Sequence, residues 1–113
     1  DVPTWDKPAM ACLASRIPYG QEVTPEKLHQ VAEAELQLRV LGFRDLRVRH
    51  HDQVARVELG EDELAIALEE PKRSQIVTAV KDAGFTYVTL DLEGFRSGSM
   101  NEVLPLALVE NER

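Results

Sequence analysis

Arg44-Asp45-Leu46-Arg47-Val48-Arg49-His50-His51-Asp52-Gln53-Val54-Ala55-Arg56-Val57-Glu58-Leu59 is the stretch that decides the fold. Apolar and polar residues alternate in it with the period of two that a half-buried strand requires. The pattern predicts strands over about Arg44 to His50 and Val54 to Leu59, with a tight turn near Asp52. Leu46, Val48 and His50 fall on one face of the first strand, and Arg47, Arg49 and His51 on the other. A two-residue turn places Ala55, Val57 and Leu59 with the apolar set and brings Arg56 and Glu58 to the arginine face. Arg47, Arg49 and Arg56 then crowd one surface. Like charges so placed repel unless an anion or a carboxylate lies among them. Two readings follow: a phosphate or carboxylate site, or a solvated face on which Glu58 pairs with Arg47 and the other arginines point into water.

Outward from the hairpin, helix signals flank it on both sides. Thr24, Pro25 and Glu26 supply a hydroxyl cap, a proline at the first helical position and an acid at the positive end of the dipole. The helix is expected to reach about Leu41 and to stop at Gly42, with Leu28, Val31, Leu38 and Leu41 as its buried stripe. Glu35 interrupts that stripe, four residues after Val31 and three before Leu38. It is either a glutamate at the stripe's edge that reaches water or a buried carboxylate that needs a partner. After the hairpin, Glu61 to Leu68 reads as a short helix, although Leu64, Ile66 and Leu68 also alternate as in a strand. Pro71 opens a clearer helix through Ala83, with Ile76, Val77 and Val80 as its apolar face and Gly84 as its stop. A third strand is expected over Tyr87 to Leu92. The fold class is therefore α+β, with helices on one face of a small, mainly antiparallel sheet in the order α-β-β-α-β.

Composition narrows the function classes. The 113 residues make one domain, able to bury roughly two thirds of its unfolded surface. Twenty acidic against thirteen basic residues give a formal charge of −7, which argues against a nucleic-acid partner, since such binding rests on a basic face. The one cysteine cannot form an intrachain disulfide, and no run approaches the roughly 20 apolar residues of a membrane span. The expectation is a cytoplasmic protein with no membrane partner. His50 and His51 are adjacent in a strand and point to opposite faces, so no metal site is expected from them.

Chemistry concentrates near the two ends. Cys12 lies in Trp5-Asp6-Lys7-Pro8-Ala9-Met10-Ala11-Cys12-Leu13-Ala14-Ser15-Arg16-Ile17-Pro18-Tyr19-Gly20, among small residues with Lys7 and Arg16 nearby. Positive charge favours a thiolate, so this setting suits a reactive thiol, while a lone cysteine is as readily an inert one. Gly94-Phe95-Arg96-Ser97-Gly98-Ser99-Met100-Asn101-Glu102 is a glycine-containing loop whose backbone can approach a ligand, or a plain connection.

These two segments, together with Leu41-Gly42-Phe43 and Arg47-Val48-Arg49-His50-His51, resemble the ATP-dependent sacrificial sulfur transferases of the LarE type, which serve nickel-pincer nucleotide cofactor synthesis. The resemblance runs from about Trp5 to Leu104, and the family's Ser-Gly-Gly-x-Asp-Ser pyrophosphate loop has no counterpart in it. It implies that the chain is the carboxy-terminal portion of a longer enzyme. Residues 1–22 would form a cysteine-bearing linker, 23–104 an α+β substrate-binding and association domain, and 105–113 a tail. ATP and magnesium would belong to the upstream domain, with no cofactor held by this portion, which by itself would be inactive.

The resemblance further implies that Cys12 attacks an adenylated pyridinium carboxylate mononucleotide and gives up its own sulfur, leaving dehydroalanine. Glu35 stands seven residues before Gly42, where the family has a substrate-site glutamate, either orienting substrate or acting as a base. Arg47 and Arg49 match an arginine pair that holds substrate phosphate; Arg56 joins them on strand geometry alone. Arg16 would stabilise the thiolate or the acyl oxygen, and Arg96 and Ser99 fall in the loop near the sulfur-transfer region. The family's members form homo-oligomers, so an interface is implied as well. Two rival readings stand beside this one: a tRNA-thiolation sulfur transferase, opposed by the acidic balance, and a non-catalytic oligomerisation domain, in which Cys12 has no role.

Overall fold

The computed structural model describes residues 13–95. Its first element, α1 (Pro25–Val40), begins as the sequence predicts: the Lys27 amide donates to Thr24 Oγ1 at 3.2 Å, with Pro25 in the first turn. At its far end the Gly42 amide donates to Arg39 O (2.9 Å) and the Phe43 amide to Leu38 O (3.2 Å), the paired bonds of a Schellman cap. That cap needs a left-handed residue, and Gly42 supplies φ +109°.

Strands β1 (Leu46–His51) and β2 (Val54–Leu59) form the expected antiparallel hairpin. Its two-residue turn places Asp52 at φ 58°, a conformation that aspartate tolerates better than most residues. Leu46 faces Leu59, Val48 faces Val57 and His50 faces Ala55. One pleat face is therefore apolar but for His50, and the other carries the pairs Arg47–Glu58, Arg49–Arg56 and His51–Val54.

Glu61–Ala67, the segment with two possible readings, is a helix, α2, and α3 (Lys72–Asp82) follows it. Together they occupy the single helical step of the predicted order. The alternation of Leu64, Ile66 and Leu68 does not mark a strand: the helix buries Glu63 and Ala67, four residues apart, and leaves Ile66 and Leu68 exposed. Because this helical pair carries the chain back along the sheet, β3 (Tyr87–Leu90) joins β2 in parallel, Val54 opposite Tyr87 and Val57 opposite Leu90. The sheet is thus mixed, in the order β1-β2-β3, with its antiparallel part confined to the hairpin.

Val31, Ala34 and Leu38 of α1, the apolar hairpin face, Ala67, and Ile76 and Val80 of α3 share one core with Phe43 and Phe85. Leu38, Leu46, Val48, Val57 and Val80 are wholly inaccessible, and burial of each stabilises the fold by about 1.5–3 kcal/mol. Helices α1, α2 and α3 contribute to the core through the same sheet face, which leaves the opposite face to the arginines.

Candidate functional site

The site is organised by two buried carboxylates, one on each side of the edge strand β1. Glu35, on the inner face of α1, is 3% exposed. Its Oε2 accepts from Arg16 Nε at 2.8 Å and from the Val48 amide at 3.0 Å, while Oε1 accepts from Arg16 Nη2 at 3.2 Å. Arg39 stands 3.9 Å from the same oxygen. The glutamate in the apolar stripe is therefore a buried carboxylate with a partner, and the edge-of-stripe reading falls.

The reason lies in the sheet. As an edge strand, β1 has outward amides that β2 does not take up, and buried amides require acceptors. Val48 finds the Glu35 carboxylate, and the His50 amide finds Arg16 O at 2.8 Å. Residues 13–17 make a tight turn, with Arg16 N–H to Leu13 O and Ile17 N–H to Ala14 O, both 3.0 Å, and bury Arg16 and Ile17. The fork of Arg16 on Glu35 ties this turn to helix and strand at once.

On the far face, Glu58 is 2% exposed and divides its oxygens: Oε1 accepts from Arg49 Nη2 and Oε2 from Arg56 Nη2, each at 3.1 Å. Arg49, itself buried, also donates from Nη1 to Ser15 O at 3.3 Å, which joins the arginine face to the same turn. Arg56 lies 3.9 Å from Asp91. The expected alternative, in which Glu58 pairs with Arg47 and the other arginines point into water, does not hold. Arg47 is opposite Glu58 in register, yet its guanidinium takes other partners. It donates to Leu46 O at 2.8 Å and lies 4.6 Å above the centre of the Phe95 ring. Among the described residues Arg47 has no carboxylate partner.

Electrostatically the region is a cationic island in an acidic chain. Five guanidinium groups, from Arg16, Arg39, Arg47, Arg49 and Arg56, are set against the carboxylates of Glu35, Glu58 and Asp91. Arg47 registers the excess: burial first, and then repulsion from Arg16, hold it below the ordinary guanidinium value. It remains fully charged at neutral pH. His51, on the same face, is likewise pushed down, by burial and then by Arg56.

His50 faces the core, with Nδ1 accepting from the Asp52 amide (3.2 Å) and Nε2 against Gln30 Oε1 (2.9 Å). An amide donor at Nδ1 assigns the proton to Nε2, so the ring is neutral, and burial lowers its pKa. The two histidines thus lie on opposite faces. Among the described residues no three metal-ligating side chains gather.

Of the residues singled out from the sequence, Arg16 and Glu35 meet directly, and Arg49 and Arg56 meet through Glu58, with Arg47 alongside on the same face. Cys12, Arg96 and Ser99 lie outside the described residues. Sequence reasoning passed over Glu58 and Phe95 as organisers of the site. The signal for Glu58 was its place opposite Arg47 and one same-face register from the Arg49–Arg56 pair; for Phe95 there was none short of tertiary structure.

This fold and face define an α+β module with a carboxylate-braced arginine surface. Comparison with known proteins gives the module its relatives. Over 103 residues, 91% of the chain, it is 45% identical to the pyridinium-3,5-bisthiocarboxylic acid mononucleotide synthase of Lactiplantibacillus plantarum. An uncharacterized protein of Synechocystis sp. is 47% identical over 103 residues, and one of Methanocaldococcus jannaschii 33% over 90 residues. No family model matches. The chain spans 38%, 37% and 34% of the lengths of the Synechocystis, Lactiplantibacillus and Methanocaldococcus proteins. The resemblance to LarE-type proteins read from the motifs is therefore shown across nearly all of this chain. No helix among the described residues is long and apolar enough to cross a membrane.

Proposed function

We propose that this chain is part of a sulfur transferase that converts a pyridinium carboxylate mononucleotide to its thiocarboxylate, with Cys12 as the sulfur donor. The observation that carries the proposal is the arginine face beside the turn that follows Cys12. Arg47 offers a planar, permanently charged donor array to a phosphate, and Arg49 and Arg56 raise the local potential while Glu58 braces them. The homology to a synthase of a pyridinium bisthiocarboxylic acid mononucleotide supplies the substrate class.

In this scheme ATP, with magnesium, adenylates the substrate carboxylate in a domain upstream of these residues. The Cys12 thiolate attacks the acyl carbon; a carbon–sulfur bond forms, the acyl–oxygen bond breaks and AMP leaves with the electron pair. A base then removes the Cys12 α-proton and the Cβ–S bond breaks toward sulfur. The products are a thiocarboxylate and dehydroalanine, so each chain acts once for each sulfur delivered. Arg16 lies on the segment that carries the thiol, held by Glu35. Arg96 and Ser99, which follow Phe95 in sequence, complete the proposed substrate contacts. A cytoplasmic homo-oligomer is the setting proposed for the whole enzyme; these residues alone are expected to lack ATP-dependent activity.

Intact mass of the full-length protein after incubation with ATP, magnesium and the carboxylated nucleotide tests the reading. Loss of one sulfur and two hydrogens, mapped to Cys12, is the expected result. Product formation with Cys12 unchanged would refute the donor assignment, and full transfer by the Cys12→Ala variant would do so independently.

A further inference from the structure

Three arginines share the hairpin's outer face, and they are partnered differently. Arg49 and Arg56 each meet a carboxylate oxygen of the same buried Glu58, which compensates much of their charge. Arg47 meets an aromatic ring instead, its guanidinium carbon 4.6 Å from the Phe95 centroid. The difference is chemical. A carboxylate orders a guanidinium and neutralises it, whereas the negative face of a ring orders it and leaves the full positive charge for another partner.

The backbone fixes that ring in place. The Phe95 amide donates to Leu59 O at 2.6 Å, which ties the chain after β3 to the end of β2. Gly94 makes the approach possible: it has φ +84°, and a Cβ there would lie 3.0 Å from the same Leu59 oxygen. Arg47 adds its own tether to Leu46 O at 2.8 Å, which consumes one donor and leaves the others of its fork.

We propose that Phe95 is a positioning residue for anion binding: it holds Arg47 ordered without a carboxylate in contact, and so makes Arg47 the principal phosphate-binding cation of the face. The motif beginning Gly94-Phe95 acquires a definite task, to bring an aromatic platform under the β1 arginine. This inference rests on the proposed reading of Arg47 as a phosphate ligand and adds to it the reason why Arg47, of the three arginines, has the most charge to offer.

Titration of the full chain with nicotinic acid mononucleotide tests it, followed by calorimetry and by the side-chain Nε–Hε resonance of Arg47. The unmodified chain is expected to bind and Arg47→Gln to lose binding. Phe95→Leu, apolar and without a π face, is expected to weaken binding about three- to tenfold, and Phe95→Trp to restore it. Leucine equal to phenylalanine, with Arg47→Gln still defective, overturns the role of Phe95 and leaves the proposed function standing. Arg47→Gln binding as well as the unmodified chain overturns both. Should Phe95→Leu fail to fold, the unmodified chain decides. Ring-current displacement of the Arg47 Hε signal that persists on ligand binding supports the platform, and a random-coil position refutes it.

Discussion

Replacing Glu35 removes the carboxylate that Arg16 and the Val48 amide share, and its cost can be worked from the contacts. The carboxylate is 3% exposed, and Arg16, which forks onto it at 2.8 and 3.2 Å, is 8% exposed, so solvent screens little of the interaction. Glu35→Ala takes from a buried guanidinium the carboxylate it forks onto, leaving it the contact of Nη1 with Ser15 Oγ at 3.1 Å, a loss of about 3–5 kcal/mol in comparable pairs. It also leaves the Val48 amide, 3.0 Å from Oε2, without its acceptor, a further penalty of about 1–3 kcal/mol if water does not replace it. These terms overlap, and about 4 kcal/mol is the expected total. In a domain of this size that lowers the melting temperature by well over about 10 °C. Glu35→Gln keeps one acceptor oxygen and should cost about half as much. Denaturant unfolding of the two variants, and of Arg16→Met with and without Glu35→Ala, is the assay. The double variant should recover about 2 kcal/mol relative to the sum of the single changes, because the buried guanidinium and the buried carboxylate are then removed together. A Glu35→Ala variant within about 1 kcal/mol of the unmodified chain, or strict additivity with Arg16→Met, would refute the account of Glu35 as the latch between the 13–17 turn and the edge of β1.

Two further predictions come from the same structure. His50 is held neutral, and burial lowers its pKa below the ordinary 6.5; the unfolded chain therefore binds the proton more readily than the folded one. Stability present at pH 7 should decline as pH falls from about 6.5 toward the lowered folded value, and His50→Gln should flatten that decline in urea titrations taken at successive pH values. Gly42→Ala should cost about 1–2 kcal/mol in the same assay, since φ +109° is strained for alanine although no atom lies within 4 Å of the added Cβ. An unchanged midpoint would show that the Schellman turn can relax.

Much of this fold was legible locally because its signals are local. The Thr24-Pro25-Glu26 start and Gly42 stop of α1 depend on groups within a few residues of each other, as do the alternation of β1 and β2 and the turn at Asp52. Resemblance in several separated motifs likewise pointed to the relatives that comparison bears out. The direction of β3 was not legible in this way, because it depends on where a two-helix connection returns the chain. Nor was the Glu63 carboxylate, which accepts from the Arg44 and Asp45 amides nineteen and eighteen residues earlier in the chain.

The arginine face marks the division most clearly. Alternation along two strands determined that Arg47, Arg49 and Arg56 share a surface with Glu58, since a period of two in each strand and a two-residue turn admit no other arrangement. Which arginine Glu58 would neutralise was a question of side-chain reach in three dimensions. The answer came from Phe95, delivered by a turn after β3 to the end of β2, where it engages Arg47, and from Ser15 O of the 13–17 turn, which engages Arg49. Periodicity assigns a side chain to a face; only packing between segments distant in sequence assigns it a partner.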